Sequence, residues 1–131
     1  MNETNETTRE KGKAIMRQIL GDPFVENMDR EIEKGTLGIF PADHSVESCW
    51  ATIWGRSGLD MRARSIATIA MVMALREPIA IRNQIRGGIR LGLTPKEIEE
   101  IAYQAIPYLG YPAAGVAIRT VRDTFKEDGL I

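Results

Sequence analysis

Apolar residues recur along this chain at three- and four-residue intervals, and strand-like alternation between turns is absent, so the pattern predicts an all-α protein. Thr7 followed by Glu10 has the spacing of a capping box, which opens a first helix carrying Ile15, Met16, Ile19 and Leu20 inward. Gly21, Asp22 and Pro23 end it. A second short helix over 23–34 has Phe24, Val25, Met28 and Ile32 as its apolar side, and residues 35–40 read as a loop. A third helix starts at Asp43 or Ser45 and sets Val46, Trp50, Ile53 and Trp54 on one face before the glycines of 55–58.

Asp60 is placed to cap a fourth helix, in which Ile66, Ile69, Ala70, Met73 and Ala74 leave almost no polar side, the pattern of a helix surrounded by neighbours. Glu77 and Pro78 open a fifth, because proline is tolerated where its missing N–H would have no partner, and Gly92 closes it. Thr94-Pro95-Lys96-Glu97 is the best local signal in the chain, a capped start for a helix over 95–106. Pro107, Gly110 and Pro112 interrupt that helix, and a last one over 112–126 presents Ala113, Ala117, Val121 and Phe125 on one side. The sum is seven short helices without internal repeats.

At 131 residues with 44% hydrophobic content the chain is expected to form one domain, with residues 1–6 disordered. Its 17 basic and 18 acidic side chains are interspersed and give a net charge of −1, which lacks the one-sided positive field that nucleic acid requires. A single cysteine excludes an internal disulfide. The polar first 13 residues do not form a signal peptide or anchor, and the longest apolar run, over 66–75, is too short to span a bilayer. A cytoplasmic protein without nucleic-acid or membrane partners is the expectation. One histidine and one cysteine without carboxylates at ligand spacing do not make a metal site.

Four fragments in order carry a family resemblance: Leu20-Gly21-Asp22-Pro23-Phe24-Val25; WATIWGRSGLD from Trp50 to Asp60, followed by Arg62, Arg64 and Ser65; IRGGIRLGLTPKEIEEI ending at Ile101; and Tyr108-Leu109-Gly110-Tyr111-Pro112-Ala113-Ala114. Together they resemble the gamma-carboxymuconolactone decarboxylase family, a branch of the superfamily that includes the AhpD-like alkylhydroperoxidases. The resemblance covers residues 11 to about 125 and implies an all-helical AhpD-like protomer, a ring-shaped homohexamer, and cofactor-free decarboxylation of a carboxylated unsaturated lactone in aromatic-compound breakdown. It also implies a histidine where this chain has Gln84. The AhpD branch places its Cys-x-x-Cys where this chain has Glu77 and Ala80, so thiol–disulfide peroxidase chemistry has no cysteine pair to run on.

Gln84 shares a helical sector with Ile81, Ile85 and Gly88 and should face protein. Either its amide bonds a neighbouring helix, or it lines the old pocket and donates to a substrate carbonyl or carboxylate. It does not shuttle a proton near neutral pH, as a histidine does. His44 on the third helix, beside Glu47, is the candidate replacement acid, against the alternative of an exposed or capping side chain. Glu100 and Tyr108 are further candidates. Glu100 lies among apolar neighbours where burial would raise its pKa, against the alternative of an ion pair with an arginine.

For binding an acid, Arg62, Arg82 and Arg86 cluster around the family motifs with Arg56 and Arg64, which stand at positions the resemblance favours, and either of these two could equally serve structure by pairing with Glu47, Asp60 or Glu97. Trp50 and Trp54 form an i, i+4 aromatic pair for core or interface, or Trp54 walls the substrate cavity. Leu91 and Leu109 stand where the family often has asparagine and cysteine, which suggests a greasier pocket and a repurposed biosynthetic member. The expected activity is that of a cofactor-free lyase on an unsaturated lactone, enol or β-keto-type acid. An isomerase or cyclase on a related cyclic substrate and an inactive oligomeric binding scaffold are the alternatives.

Overall fold

The computed structural model describes residues 6–131. Among them lie six α-helices and no strand, in agreement with the all-α reading. They are α1 (Thr8–Leu20), α2 (Asp22–Lys34), α3 (Phe40–Ser45), which runs directly into a π-helical segment (Val46–Ala51), α4 (Met61–Leu75), α5 (Pro78–Arg90) and α6 (Pro95–Glu127). The disorder expected for residues 1–6 concerns, Glu6 apart, positions outside the described residues. The chain divides into two compact units, one ending at Leu59 and the other spanning Asp60–Ile131. No helix among the described residues is long and apolar enough to cross a membrane.

In the first unit Thr7 caps α1 as its spacing with Glu10 implies: the hydroxyl accepts from the Glu10 N–H at 3.0 Å and the Glu10 carboxylate accepts from the Thr7 N–H at 3.3 Å. Ile15, Met16 and Ile19 are buried. The helix lies so close to the π-helical segment that a Cβ on Gly12 would overlap the Val46 carbonyl oxygen. Lys13 to Asp29 at 2.7 Å ties α1 to α2, and Arg9 to Asp43 at 2.8 Å ties it to α3.

The third helix departs from the sequence reading in two ways. It begins at Phe40, inside the segment read as a loop, because Pro41 fits the first helical turn. It then loosens into π geometry, with the Thr52 N–H reaching back five residues to the Glu47 carbonyl at 3.1 Å and the Trp54 N–H to the Cys49 carbonyl at 3.0 Å. A turn with an extra residue keeps Val46, Trp50 and Trp54 inside but rotates Ile53 out to 51% exposure. The α-helical spacing that grouped Ile53 with them does not hold there.

The second unit is a three-helix packing of α4, α5 and α6 around Ile69, Met73, Ile81, Ile85, Leu93, Ile98, Ala102, Ala117, Val121 and Phe125. Asp60 caps α4 by accepting from the Ala63 N–H at 2.7 Å. One face of α4 is buried, but Met71 and Leu75 are about 70% exposed, so α4 is not the enclosed helix its composition suggested. Gly92 ends α5 through a six-to-one bond from the Leu93 N–H to the Gly88 carbonyl at 2.9 Å, and Thr94 and Glu97 cap α6 reciprocally at 3.1 Å each.

Helix α6 continues through Pro107 and breaks only at Gly110, whose φ of 83° and ψ of 163° lie outside any helix. Counted as one run, α6 gives six helices rather than seven, but the break at Gly110 divides it into the two C-terminal helices expected on either side. Beyond the break Ala113, Ala117, Val121 and Phe125 are all buried, as their spacing implies. The end of α6 is clamped to α5: Arg86 donates from Nε to Asp128 Oδ2 at 2.9 Å and from Nη2 to Oδ1 at 2.8 Å. Glu127 stands 3.4 Å from Arg86 and 3.6 Å from Arg82. The hydrogen bonds from Arg86 hold the Asp128 carboxyl below its usual pKa.

The Gly110 dihedrals belong to a region essentially restricted to glycine, where another residue costs about 1–3 kcal/mol. Gly110→Ala should therefore lower stability by that amount in urea denaturation, and an unchanged midpoint would refute the strain. For Asp128 a depressed folded pKa means a contribution that is present above the unfolded pKa of about 3.9 and lost as pH falls through the lower folded value. The side chain is 31% exposed, and screening limits the effect to about 1 kcal/mol. Asp128→Asn should remove this increment at neutral pH and narrow its gap to the parent protein in acid, measured as Tm against pH.

Candidate functional site

Helix α5 carries the most informative side chains, and its start is fixed by Glu77. The Glu77 carboxylate accepts from the backbone N–H groups of Ile79 at 3.1 Å and Ala80 at 2.7 Å, satisfying two donors that a helix end otherwise leaves without partners. Positions 77 and 80 thus serve helix structure. Cys49 is half-buried in the first unit, and burial pushes its thiol pKa up, away from the thiolate that redox chemistry uses.

One turn further on, Ile81, Ile85, Gly87 and Gly88 are buried and Gln84 is half-buried among them, facing inward as its sector implies. Its Oε1 is sealed from solvent and has no hydrogen-bond partner. The expected role was donation from the amide N–H to a substrate. The amide N–H that such a donation would use is a different atom, and the sealed atom is the acceptor oxygen. An orphaned buried acceptor costs about 1–3 kcal/mol, so it calls for an explanation outside packing.

The arginines are only partly occupied, since Arg82 Nε is itself sealed from solvent without a hydrogen-bond partner. Arg62 is paired with Glu97, the partner considered for Arg56 or Arg64, while Arg86 and Arg82 face Asp128 and Glu127. Nothing local in the sequence announces the pair of Arg86 and Asp128, which lie 42 residues apart. Of the two arginines singled out for binding, Arg64 is half-buried on α4 of the second unit and Arg56 is exposed on the turn that ends the first.

His44 is exposed and stacks on Phe40 with ring centroids 5.4 Å apart. It borders an open depression of about 530 Å³ with Arg9, Asp43, Glu47, Ser48 and Thr52, in which Asp43 is already taken by Arg9. Trp54, 7% exposed, stacks on Trp50 at 5.5 Å, and both are packed in the first unit rather than on a cavity described here. Glu100 is exposed, not enclosed as its apolar neighbours suggested, because on α6 those neighbours turn toward α4 and α5 while it turns away. It edges a groove with Ile66, Ile101 and Gln104, and an adjoining apolar groove of about 250 Å³ takes in those three side chains and Tyr108, itself 80% exposed. The structure therefore brings Glu100 and Tyr108 toward neighbouring grooves, whereas Gln84 lines neither. No cluster of three or more His, Cys, Asp or Glu side chains able to hold a metal is found among the described residues.

The sequence model of the carboxymuconolactone decarboxylase family matches residues 43–123, which takes in all four second-unit candidates together with His44, Trp54 and Arg56. Similar proteins include the 4-carboxymuconolactone decarboxylase of Acinetobacter baylyi, 28% identical over 129 residues that span 96% of this chain and 92% of the relative. The nitrosuccinic acid decarboxylase of Metarhizium robertsii is 29% identical over 119 residues, 90% of this chain and 81% of the relative. An uncharacterized 15.0 kDa protein of Paracoccus denitrificans is 28% identical over 110 residues, covering 82% and 81% of the two chains.

If the Gln84 amide is kept for a ligand, methionine of similar volume should be the more stable choice. Gln84→Met is expected to raise Tm by roughly 3–5 °C, the equivalent of about 1 kcal/mol for a chain of this size. A lower Tm in calorimetry would show that the amide is bonded within the fold and would remove the case for a site at this position.

Proposed function

The chain belongs to the carboxymuconolactone decarboxylase family, and on that premise we propose that this decarboxylase-like protein is a cofactor-free carboxy-lyase for a small acid whose reacting carbon is conjugated to an electron acceptor. An unsaturated lactone acid, an enol acid or a β-keto-type acid has this character. Two similar proteins carry names for the decarboxylation of a carboxylated lactone and of a nitro acid. In both kinds of compound a carbonyl or nitro group can take up the electron pair that CO₂ leaves behind. The observation that carries the reading is the sealed, unpartnered Oε1 of Gln84, at the position where the family resemblance implies a histidine.

The chemistry this residue supports is limited and specific. The C–C bond to the carboxylate breaks, CO₂ departs, and the electron pair moves into the conjugated acceptor to give an enolate or nitronate, which then takes a proton at carbon or oxygen. Gln84 neither gives nor takes that proton, since an amide does not titrate near neutral pH. Its Oε1 accepts a hydrogen bond from a hydroxyl or other donor on the bound acid and so fixes the plane in which the acceptor lies. The proton comes from solvent or from another side chain. The loss of the imidazole also favours a second reading, in which the family scaffold binds such acids without turning them over.

Assay of candidate lactone, enol and nitro acids separates the two readings: binding without CO₂ release for every acid would favour the scaffold. For the active protein, kcat/KM should show no ionisation traceable to residue 84 between about pH 6 and 8, and Gln84→His should add one near the histidine pKa of about 6.5. An unchanged profile in Gln84→His would place residue 84 away from the reacting atoms.

A further inference from the structure

The reversal at Gly110 lays the two halves of α6 side by side and leaves between them a cleft of about 300 Å³, within the size range of small-molecule sites. Its floor is apolar: Ala102, Val121 and Phe125 belong to the core of the second unit, and Ile118 adds to them. Its rim is polar and is formed by Lys96, Glu99, Tyr103, Arg122 and Ile131, the last of which brings a backbone carboxylate. The Lys96 ammonium lies 3.5 Å from the Glu99 carboxylate, so these two charges largely cancel. Arg122 has no carboxylate partner among the described residues. It is flanked at the three- and four-residue spacing of one helical ridge by Arg119 and Lys126, which are likewise exposed. The cleft thus joins a greasy floor to a polar edge of mixed charge, on which the Arg122 guanidinium is the cation without an ion-pair partner among the described residues, and no residue of α5 takes part in it.

We propose that this cleft is a second binding site, separate from Gln84, for a small carboxylic acid with an apolar body. The ring or short chain covers Ala102, Val121 and Phe125, and the carboxylate meets the planar fork of Arg122 with Lys96 in support. A guanidinium reads a carboxylate through two parallel hydrogen bonds, which a neutral amide of the same shape does not reproduce. An acid that has lost CO₂ no longer carries the group that Arg122 recognises. The site consequently separates acids from their decarboxylated counterparts.

The test uses 4-phenylbutanoate and its neutral amide as probes, titrated into the full-length protein and followed by amide-resonance shifts in NMR. The acid should perturb residues 95–103 and 118–126 and bind at least about fivefold more tightly than the amide, a margin set by one charge-assisted contact. Arg122→Gln should erase that difference, whereas Lys96→Gln, already balanced by Glu99, should change affinity by less than about twofold. The Gln84→Met protein should bind the acid as the parent does, which keeps this site distinct from the one proposed on α5. Equal affinity for acid and amide, shifts centred elsewhere, an Arg122→Gln protein that still prefers the acid, or no response up to about 10 mM acid would each overturn the proposal.

Discussion

The backbone reversal at Gly110 is the constraint on which the second unit depends. Without it the 33 residues of α6 would extend for about 50 Å at 1.5 Å per residue, far longer than α4 or α5 could cover. The positive φ and extended ψ at Gly110 turn the chain back, so that Ala117, Val121 and Phe125 meet the same core as Ile98 and Ala102. The same turn delivers Asp128 to Arg86 and opens the cleft bordered by Arg122. Core, clamp and cleft are three consequences of one residue without a side chain.

Helix α5 is anchored at both ends and along its buried face. Glu77 occupies the orphan donors at its start, Gly92 and Leu93 close its end, Ile81 and Ile85 are locked in the core, and Arg86 is clamped to the end of α6. Gln84 sits in the middle of this rigid element. A residue on a loosely packed helix could swing its amide into water, but here the oxygen stays sealed and unbonded. Packing alone would favour an apolar side chain of the same length at this position.

What the sequence made legible was local. The capping boxes at Thr7 and Thr94, the Asp60 and Glu77 caps and the Gly92 stop all depend on residues within five positions of one another, and all were found where their spacing placed them. The inward sector of Gln84 was legible for the same reason. The π-helical turn was not, because nothing in Val46–Ala51 distinguishes a five-residue bond from a four-residue one, and Ile53 was assigned to the wrong side in consequence. The Arg86–Asp128 clamp and the cleft over Ala102 and Val121 join segments far apart in sequence. Their existence follows from the angle at Gly110, and composition does not encode an angle.

The exchange of an imidazole for an amide has a chemical corollary for the substrates such a protein can serve. General acid catalysis supplies roughly 100- to 10,000-fold in steps of this kind, and an amide supplies none of it by proton transfer. The deficit is smallest when the departing CO₂ leaves behind a carbanion that the substrate itself stabilises well. Acids with a strong conjugated acceptor therefore tolerate glutamine best, because an enolate or nitronate is long-lived enough to be protonated by water. A fixed hydrogen-bond acceptor such as the Gln84 oxygen then contributes through orientation, by holding the breaking bond perpendicular to the conjugated plane. On this argument Leu91, Leu109 and Gln84, at positions where the family resemblance implies asparagine, cysteine and histidine, are compatible with the class of acid proposed above.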